Sequence, residues 1–199
     1  MMQRAGVSME PWSSAIGVRI EHPQASIDRA QYKVAHARAR GLPPADYHLA
    51  WHGRRARGSY TFCMCPGGQI IPATNLEGHV VLNGMADSQR GGRFANAGIV
   101  VQVKQEDYAP FGDPLDPLIG FAFQDVWETK AAELGGGALR APAQRVVDFL
   151  EGRPSQDPIE TTYQPGVTPS DLRLCLPEAV SSAVGEALMA FGRRIRGFD

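Results

Sequence analysis

Cysteine is scarce and odd in number, with three in 199 residues. Three thiols cannot all pair, so a disulfide scaffold is excluded and a reducing compartment, by default the cytoplasm, is expected. No stretch approaches the roughly 18 consecutive apolar residues that a membrane span needs, so no membrane partner is expected. The opening Met1-Met2-Gln3-Arg4-Ala5-Gly6-Val7-Ser8 carries no apolar core of signal-peptide type, so no secretory leader is expected. Neither sign of charge dominates: 20 Lys and Arg stand against 21 Asp and Glu, a net charge of -1. That balance removes the general electrostatic pull of a nucleic-acid binder. Two phosphate-binding signatures are also missing. No Gly-x-Gly-x-x-Gly joins a strand to a helix, and the glycine clusters Gly91-Gly92 and Gly135-Gly136-Gly137 lack the lysine and hydroxyl of a P-loop. None of the histidines stands at ligand spacing to a cysteine, and no serine sits in a nucleophile elbow. Neither a metal centre nor a triad hydrolase is expected.

What remains is an ordinary globular composition, 43% hydrophobic and 21% charged, enough for one domain or two small ones. The 22 glycines and 15 prolines predict many turns and short elements. Ile16, Val18 and Ile20 alternate with Gly17, Arg19 and Glu21, the period of a half-buried strand. Similar reasoning predicts strands over 15–22, 47–52, 60–72, 79–85 and 97–104, largely antiparallel by connection length. A short helix fits Ser26 to Lys33, while Ala35 to Arg40 is ambiguous. The second half reads as helical. Asp116-Pro117 opens a helix whose stripe is Ile119, Phe123, Val126, Trp127 and Leu134. Pro142 opens another, Thr168 to Asp171 cap a short one, and Pro177 begins the last, with the stripe Val180, Val184, Ala187, Leu188, Phe191 and Ile195. Residues 154–167 read as an extended connection. The expected class is α+β: a small mixed or antiparallel sheet, or partly closed barrel, over residues 1–112, then a helical subdomain over 113–199.

The stretch Tyr60 to Ile71 organises the rest. Cys63 and Cys65 lie two apart, on one face of a regular strand. One thiol of the pair could face a cofactor and relay electrons, which requires thiolate character. Two small buried hydrophobes in a strand are the simpler reading of the same pair. Pro66-Gly67-Gly68 then breaks the strand, and a Gly-Gly backbone can approach a flat ligand closely. Arg90, Arg93 and Asn96 surround the next glycine turn, which follows Asn83-Gly84-Met85. An arginine fork suits a carboxylate or phosphate, and Asn supplies both donor and acceptor. A hairpin with solvated charges is the simpler reading of the same residues. The run Arg54-Arg55-Ala56-Arg57 between Trp51 and Tyr60 has the makings of a nucleic-acid grip, but reads better as a solvated hairpin tip. Arg193, Arg194 and Arg196 suit the last turn of a helix, where the dipole favours cations.

Several motifs in order resemble a known family. They are Ile16-Gly17-Val18-Arg19-Ile20-Glu21-His22-Pro23-Gln24, Tyr60-Thr61-Phe62-Cys63-Met64-Cys65-Pro66-Gly67-Gly68, and Asn83-Gly84-Met85 with Arg90 and Asn96-Ala97. The helical half adds Gly135-Gly136-Gly137 and Ala141-Pro142-Ala143-Gln144-Arg145-Val146-Val147-Asp148-Phe149-Leu150. Together these resemble predicted bacterial FAD-dependent dehydrogenases, with the match running from about Ala5 to Phe198. The resemblance implies a Rossmann-type flavoprotein with a substrate domain inserted between two halves of the FAD domain. Neither glycine-rich half is here, so this chain looks like the inserted middle region alone, covering the flavin and shaping a substrate pocket. By motif position the resemblance puts Cys63 and Cys65 in catalytic places, with Pro66, Gly67 and Gly68 nearest the cofactor. Asn83, Arg90 and Asn96 would hold a polar substrate. FAD would be the cofactor in the full-length context, and the FAD-binding domain of the same polypeptide the partner. The alternative is a stand-alone module that binds a small anion at the Arg90–Asn96 loop without redox activity.

Overall fold

The computed structural model describes residues 3–34, 37–53 and 57–198. The ambiguous Ala35-His36 and the hairpin residues Arg54-Arg55-Ala56 lie outside the described residues.

Four strands form the main sheet. β1 (Ala15–Pro23) and β6 (Phe94–Gln102) pair antiparallel along nine residues. β3 (Gly58–Cys65) pairs β6 on its other side, and the short β2 (Ala50–His52) closes the order β1-β6-β3-β2. Period-two alternation divides the sheet into two unlike faces. On one face Ile16, Val18 and Ile20 of β1 meet Ala95, Ala97, Ile99 and Val101 of β6. Across them lies α4 (Glu178–Gly192), which contributes Val180, Val184, Ala187, Leu188 and Phe191 to the same core cluster. Each large apolar side chain buried here stabilises the fold by about 1.5–3 kcal/mol relative to exposure. α1 (Gln24–Tyr32) leaves β1 directly and adds the fully buried Ile27.

The other face is different in kind. It carries Gly17, Arg19 and Glu21 opposite Val100, Gly98 and Asn96, and then Tyr60 and Phe62 opposite Val100 and Gly98. Phe62 is 59% exposed. Beside this face stands a two-stranded hairpin of β4 (Gln69–Pro72) and β5 (Leu82–Met85). A second small core, around Ile70, Val80 and Tyr163, joins the hairpin to α2 (Ile119–Gly135). β7 (Ala141–Ala143) pairs in parallel with β8 (Val167–Pro169), and α3 (Val146–Glu151) follows β7.

The class is α+β, and the main sheet is open, not closed into a barrel. Several boundaries differ from the sequence expectation. The single strand expected over 60–72 is two, because the Pro66-Gly67-Gly68 bend sends the chain out of the main sheet into the hairpin. Pro142 opens no helix. Ala141, Pro142 and Ala143 pair instead with Val167, Thr168 and Pro169, and the helix waits until Val146. The same pairing takes Thr168 and Pro169 away from the cap expected there. Asp171 alone caps the 3-10 turn Leu172–Cys175, accepting from the Arg173 N–H. The helix expected to open at Asp116-Pro117 begins two residues later, at Ile119, because Asp116 closes a turn first, its carboxylate accepting from the Leu118 N–H and its carbonyl from the Ile119 N–H. Arg193, Arg194 and Arg196 lie just beyond Gly192, the last residue of α4.

Candidate functional site

The site begins with an irregularity in β3. Phe62 pairs with Gly98 and Cys65 with Asn96, so three steps along β3 match two along β6. One residue is in excess, which makes this a β-bulge. Cys63 absorbs it by taking a φ of +47°, a left-handed conformation that costs a non-glycine residue about 1–3 kcal/mol. The bulge removes the shared face expected for Cys63 and Cys65 on a regular strand. Cys63 is exposed and Cys65 is half-buried.

Arg19 holds the bulge in place. Its Nη2 donates to the Cys63 carbonyl at 2.6 Å, its Nε to Asn96 Oδ1 at 3.0 Å, and its Nη1 to Asn83 Oδ1 at 3.4 Å. Asn83 Oδ1 also accepts from the Gly84 N–H at 2.8 Å and from the Cys63 thiol at 3.7 Å. One guanidinium thus ties three strands, β1, β6 and β5, to the bulge of β3, using the planar fork peculiar to arginine. Asn96 is fully buried beneath β5, and its Nδ2 has no partner among the described residues. Gly84 makes that burial possible: a Cβ there would stand 2.2 Å from Arg19 Nη2 and 2.3 Å from Asn96 Oδ1.

The Cys65 thiol donates to the Cys63 carbonyl at 3.5 Å. Burial pushes its pKa up and the neighbouring Cys63 adds to the rise, while Arg19 and Arg90 work against it. Cys65 is therefore a neutral thiol at neutral pH, a hydrogen-bond donor and not a thiolate.

Pro66, Gly67 and Gly68 are buried, and their close approach is made within the chain. Gly67 has a φ of +57°, and a Cβ on it would meet the Arg90 carbonyl oxygen at 1.9 Å. Its carbonyl accepts from the Gly92 N–H at 2.9 Å, and its N–H donates to Gln24 Oε1 at 2.7 Å. Gly68 packs in the same way against the Met85 carbonyl. The Pro-Gly-Gly bend and the Arg90–Gly92 turn form one interlocked unit beside the cysteines. Arg90 caps this unit at a φ of +49° and lies within electrostatic reach of Cys65. Arg93 is engaged elsewhere, with Glu160 at 2.8 Å.

The structure therefore brings Cys63, Cys65, Asn83 and Asn96 into one cluster, with Pro66, Gly67, Gly68 and Arg90 as its adjoining wall. Sequence reasoning missed Arg19 at the centre. The available signal was a long cation on the polar face of an otherwise apolar strand. It also missed Glu21, whose carboxylate accepts from Thr161 Oγ1 at 2.6 Å and from the Thr162 N–H at 3.2 Å. The arginine run needs a correction at its one described member. Arg57 is buried, not solvated, and donates twice to Asp107, at 2.7 and 2.6 Å, so it has no donor fork to offer a nucleic-acid backbone. Among the described residues, no group of three His, Cys, Asp or Glu side chains could hold a metal ion, and no helix is long and apolar enough to cross a membrane.

Comparison with known proteins adds two findings. Residues 13–199 match the family described as "FAD-dependent protein, C-terminal domain-like". An uncharacterised protein of Clostridium beijerinckii is 40% identical over 201 residues, an alignment that takes in 100% of this chain and 37% of the relative. The chain thus spans little more than a third of the curated relative it matches. With nearly every residue inside the family match, the chain belongs to the FAD-dependent protein, C-terminal domain-like family.

Proposed function

We propose that this chain is the substrate and cap portion of an FAD-dependent oxidoreductase of dehydrogenase type, working beside FAD-binding halves of the same bacterial, cytoplasmic polypeptide. The family is described as C-terminal-domain-like, and a placement between two FAD-binding halves is part of the proposal. One observation supports the reading most. The polar face of the main sheet gathers Arg19, Cys63 and Asn83 beside the exposed Phe62 and Tyr60. Exposed aromatic surface beside organised donors is the character of a wall that meets a flat, polar-edged ring.

The residues fit one part of FAD and not another. A pyrophosphate needs free N–H groups at a helix N-terminus or a glycine-rich nest. Here Gly67 and Gly68 are filled by the chain's own carbonyls, and the first N–H of α1, on Gln24, is spent on the Arg93 carbonyl. The pyrophosphate therefore belongs to the rest of the polypeptide. The ring end fits better, because Cys63 and Asn83 present a thiol and an amide from a rigid frame.

When bound, the flavin supplies the hydride chemistry. The chain's own residues orient and shield. Cys63 presents its side chain outward from the bulge, Cys65 donates as a neutral thiol, and Asn83 and Arg90 meet a polar substrate. Asn96 acts through Arg19, which it holds in register. The test is titration with FAD, followed by flavin fluorescence, of this chain alone and of a chimera. In the chimera the chain replaces the matching 201-residue segment of the clostridial protein. A yellow chimera, with weak or no binding by the chain alone, supports the cap reading. Tight FAD binding by the 199-residue chain alone would contradict the division of labour.

A further inference from the structure

A cavity of about 760 Å³ runs along one side of β1. Every residue from Ser14 to Glu21 lines it, whichever face of the sheet its side chain takes. The cavity therefore lies off the edge of the strand and wraps both faces. That edge is bare. Among the described residues β1 pairs with β6 alone, and it is the terminal strand of its sheet. In an antiparallel pair every second residue turns its N–H and C=O away from the partner. About half of this nine-residue strand thus aims its backbone polar groups into the void.

Apolar side chains lie on both faces, Leu176, Val184 and Leu188 by α4 and Val80 and Trp127 by α2, with Glu128 and Arg145 among them, and the groove reaches the face of Arg19 and Phe62. Bare edge groups and apolar side chains on both faces make two separate demands on whatever fills it.

We propose that the cavity seats an extended β-strand from the polypeptide beyond these 199 residues, added to the free edge of β1. A small molecule of pocket size would fill the volume, yet leave the alternating backbone groups of β1 unpaired. A strand meets both demands. Its backbone completes the ladder, and its alternate side chains pack towards Leu176 and Val184 on one face and Val80 on the other. The relative supplies the length, since 37% of it accounts for this whole chain and the remainder is available to provide the strand. A long, flat, unprotected edge is otherwise a site for aggregation. The inference rests on membership of the family and on the relative's length, not on the flavin role.

Residue-resolved hydrogen exchange over Ala15–Pro23 tests it, on the 199-residue chain and on the chimera described above. The chain alone is expected to show alternating slow and fast amides. In the chimera the fast set should slow by about a hundredfold, giving continuous protection. Alternation that persists in the chimera overturns the proposal. So does continuous protection that disappears when the chimera is freed of bound small molecules by gel filtration under mild denaturant. If the chain alone does not fold, the pattern in the chimera decides in the same two ways. Flavin content is read separately: a colourless chimera with continuous protection defeats the cap reading only, and a yellow one with alternation defeats the added strand only.

Discussion

Arg19 and Asn96 stand diagonally across the β1–β6 pair and share one hydrogen bond, Nε to Oδ1 at 3.0 Å. Asn96 is fully buried and its Nδ2 already lacks a partner. Among the described residues, the bond to Arg19 is thus the only side-chain hydrogen bond of this sealed amide. The same guanidinium holds the Cys63 carbonyl, so the stability of the sheet and the shape of the bulge depend on one side chain.

Arg19→Met is expected to lower stability by about 2 kcal/mol, because it leaves the Asn96 oxygen buried and unmatched and frees the bulge carbonyl. Arg19→Lys should recover less than half of that, since an ammonium cannot reproduce the three-way fork. Urea unfolding of the three proteins checks the ranking. Equal midpoints would show that the fork is dispensable.

Gly67→Ala is expected to cost well over the ~1 kcal/mol of a simple left-handed alanine. Its Cβ would collide with the Arg90 carbonyl at 1.9 Å, and backbone cannot move aside cheaply. Gly78→Ala is the control: the φ there is +79°, but nothing lies within 4 Å of a Cβ. Thermal melts of the two variants should differ by several degrees. Matching losses would mean that the interlocked turn adds nothing beyond glycine's conformational freedom.

Burial alone would raise the pKa of the Asp107 carboxyl, but the Arg57 guanidinium and the Lys104 N–H outweigh it and hold it below its ordinary value near 3.8. A depressed folded pKa contributes stability that is complete above the unfolded value and lost as pH falls through the folded one. Asp107→Asn should therefore cost about 3 kcal/mol at neutral pH, by stranding the buried Arg57. The gap to wild type should narrow only as the pH drops below about 4. A gap that stays constant from pH 7 to pH 2 would contradict the pairing.

Thiol accessibility gives a ranking as well. Cys63 is exposed and should react first with a small alkylating reagent. Cys65 should follow, its pKa raised by burial, and Cys175 should come last, buried and pushed up to about 11. Mass spectrometry of partly modified protein reads the order. Faster reaction at Cys65 than at Cys63 would place the bulge the other way round.

Parts of this fold were legible in the sequence because local pattern and tertiary context agree. The alternation of β1 and the stripe of α4 both reflect burial against each other. Ala141-Pro142-Ala143 was misread because a proline start is a local helix signal, while its pairing with Val167–Pro169 is set by residues some 25 positions away. At the site, Cys63, Cys65 and Asn96 stand out by type and spacing and Asn83 by the family resemblance, and the fold places the four side by side. Arg19 was not, because its partners lie 44, 64 and 77 residues along the chain and no spacing rule reaches that far. The bulge was equally hidden, since an extra residue in β3 exists only relative to β6.

The most direct measurement is the visible spectrum and the rate of flavin reduction by dithionite in the chimera, compared between wild type, Cys63→Ser, Asn83→Ala and the buried control Cys175→Ser. If this face covers the flavin, the first two substitutions shift the flavin band and change the reduction rate by about tenfold, the effect of roughly 1.4 kcal/mol at the ring. Cys175→Ser leaves both unchanged. Four identical spectra and rates would contradict the account and leave the Arg19 cluster as packing alone.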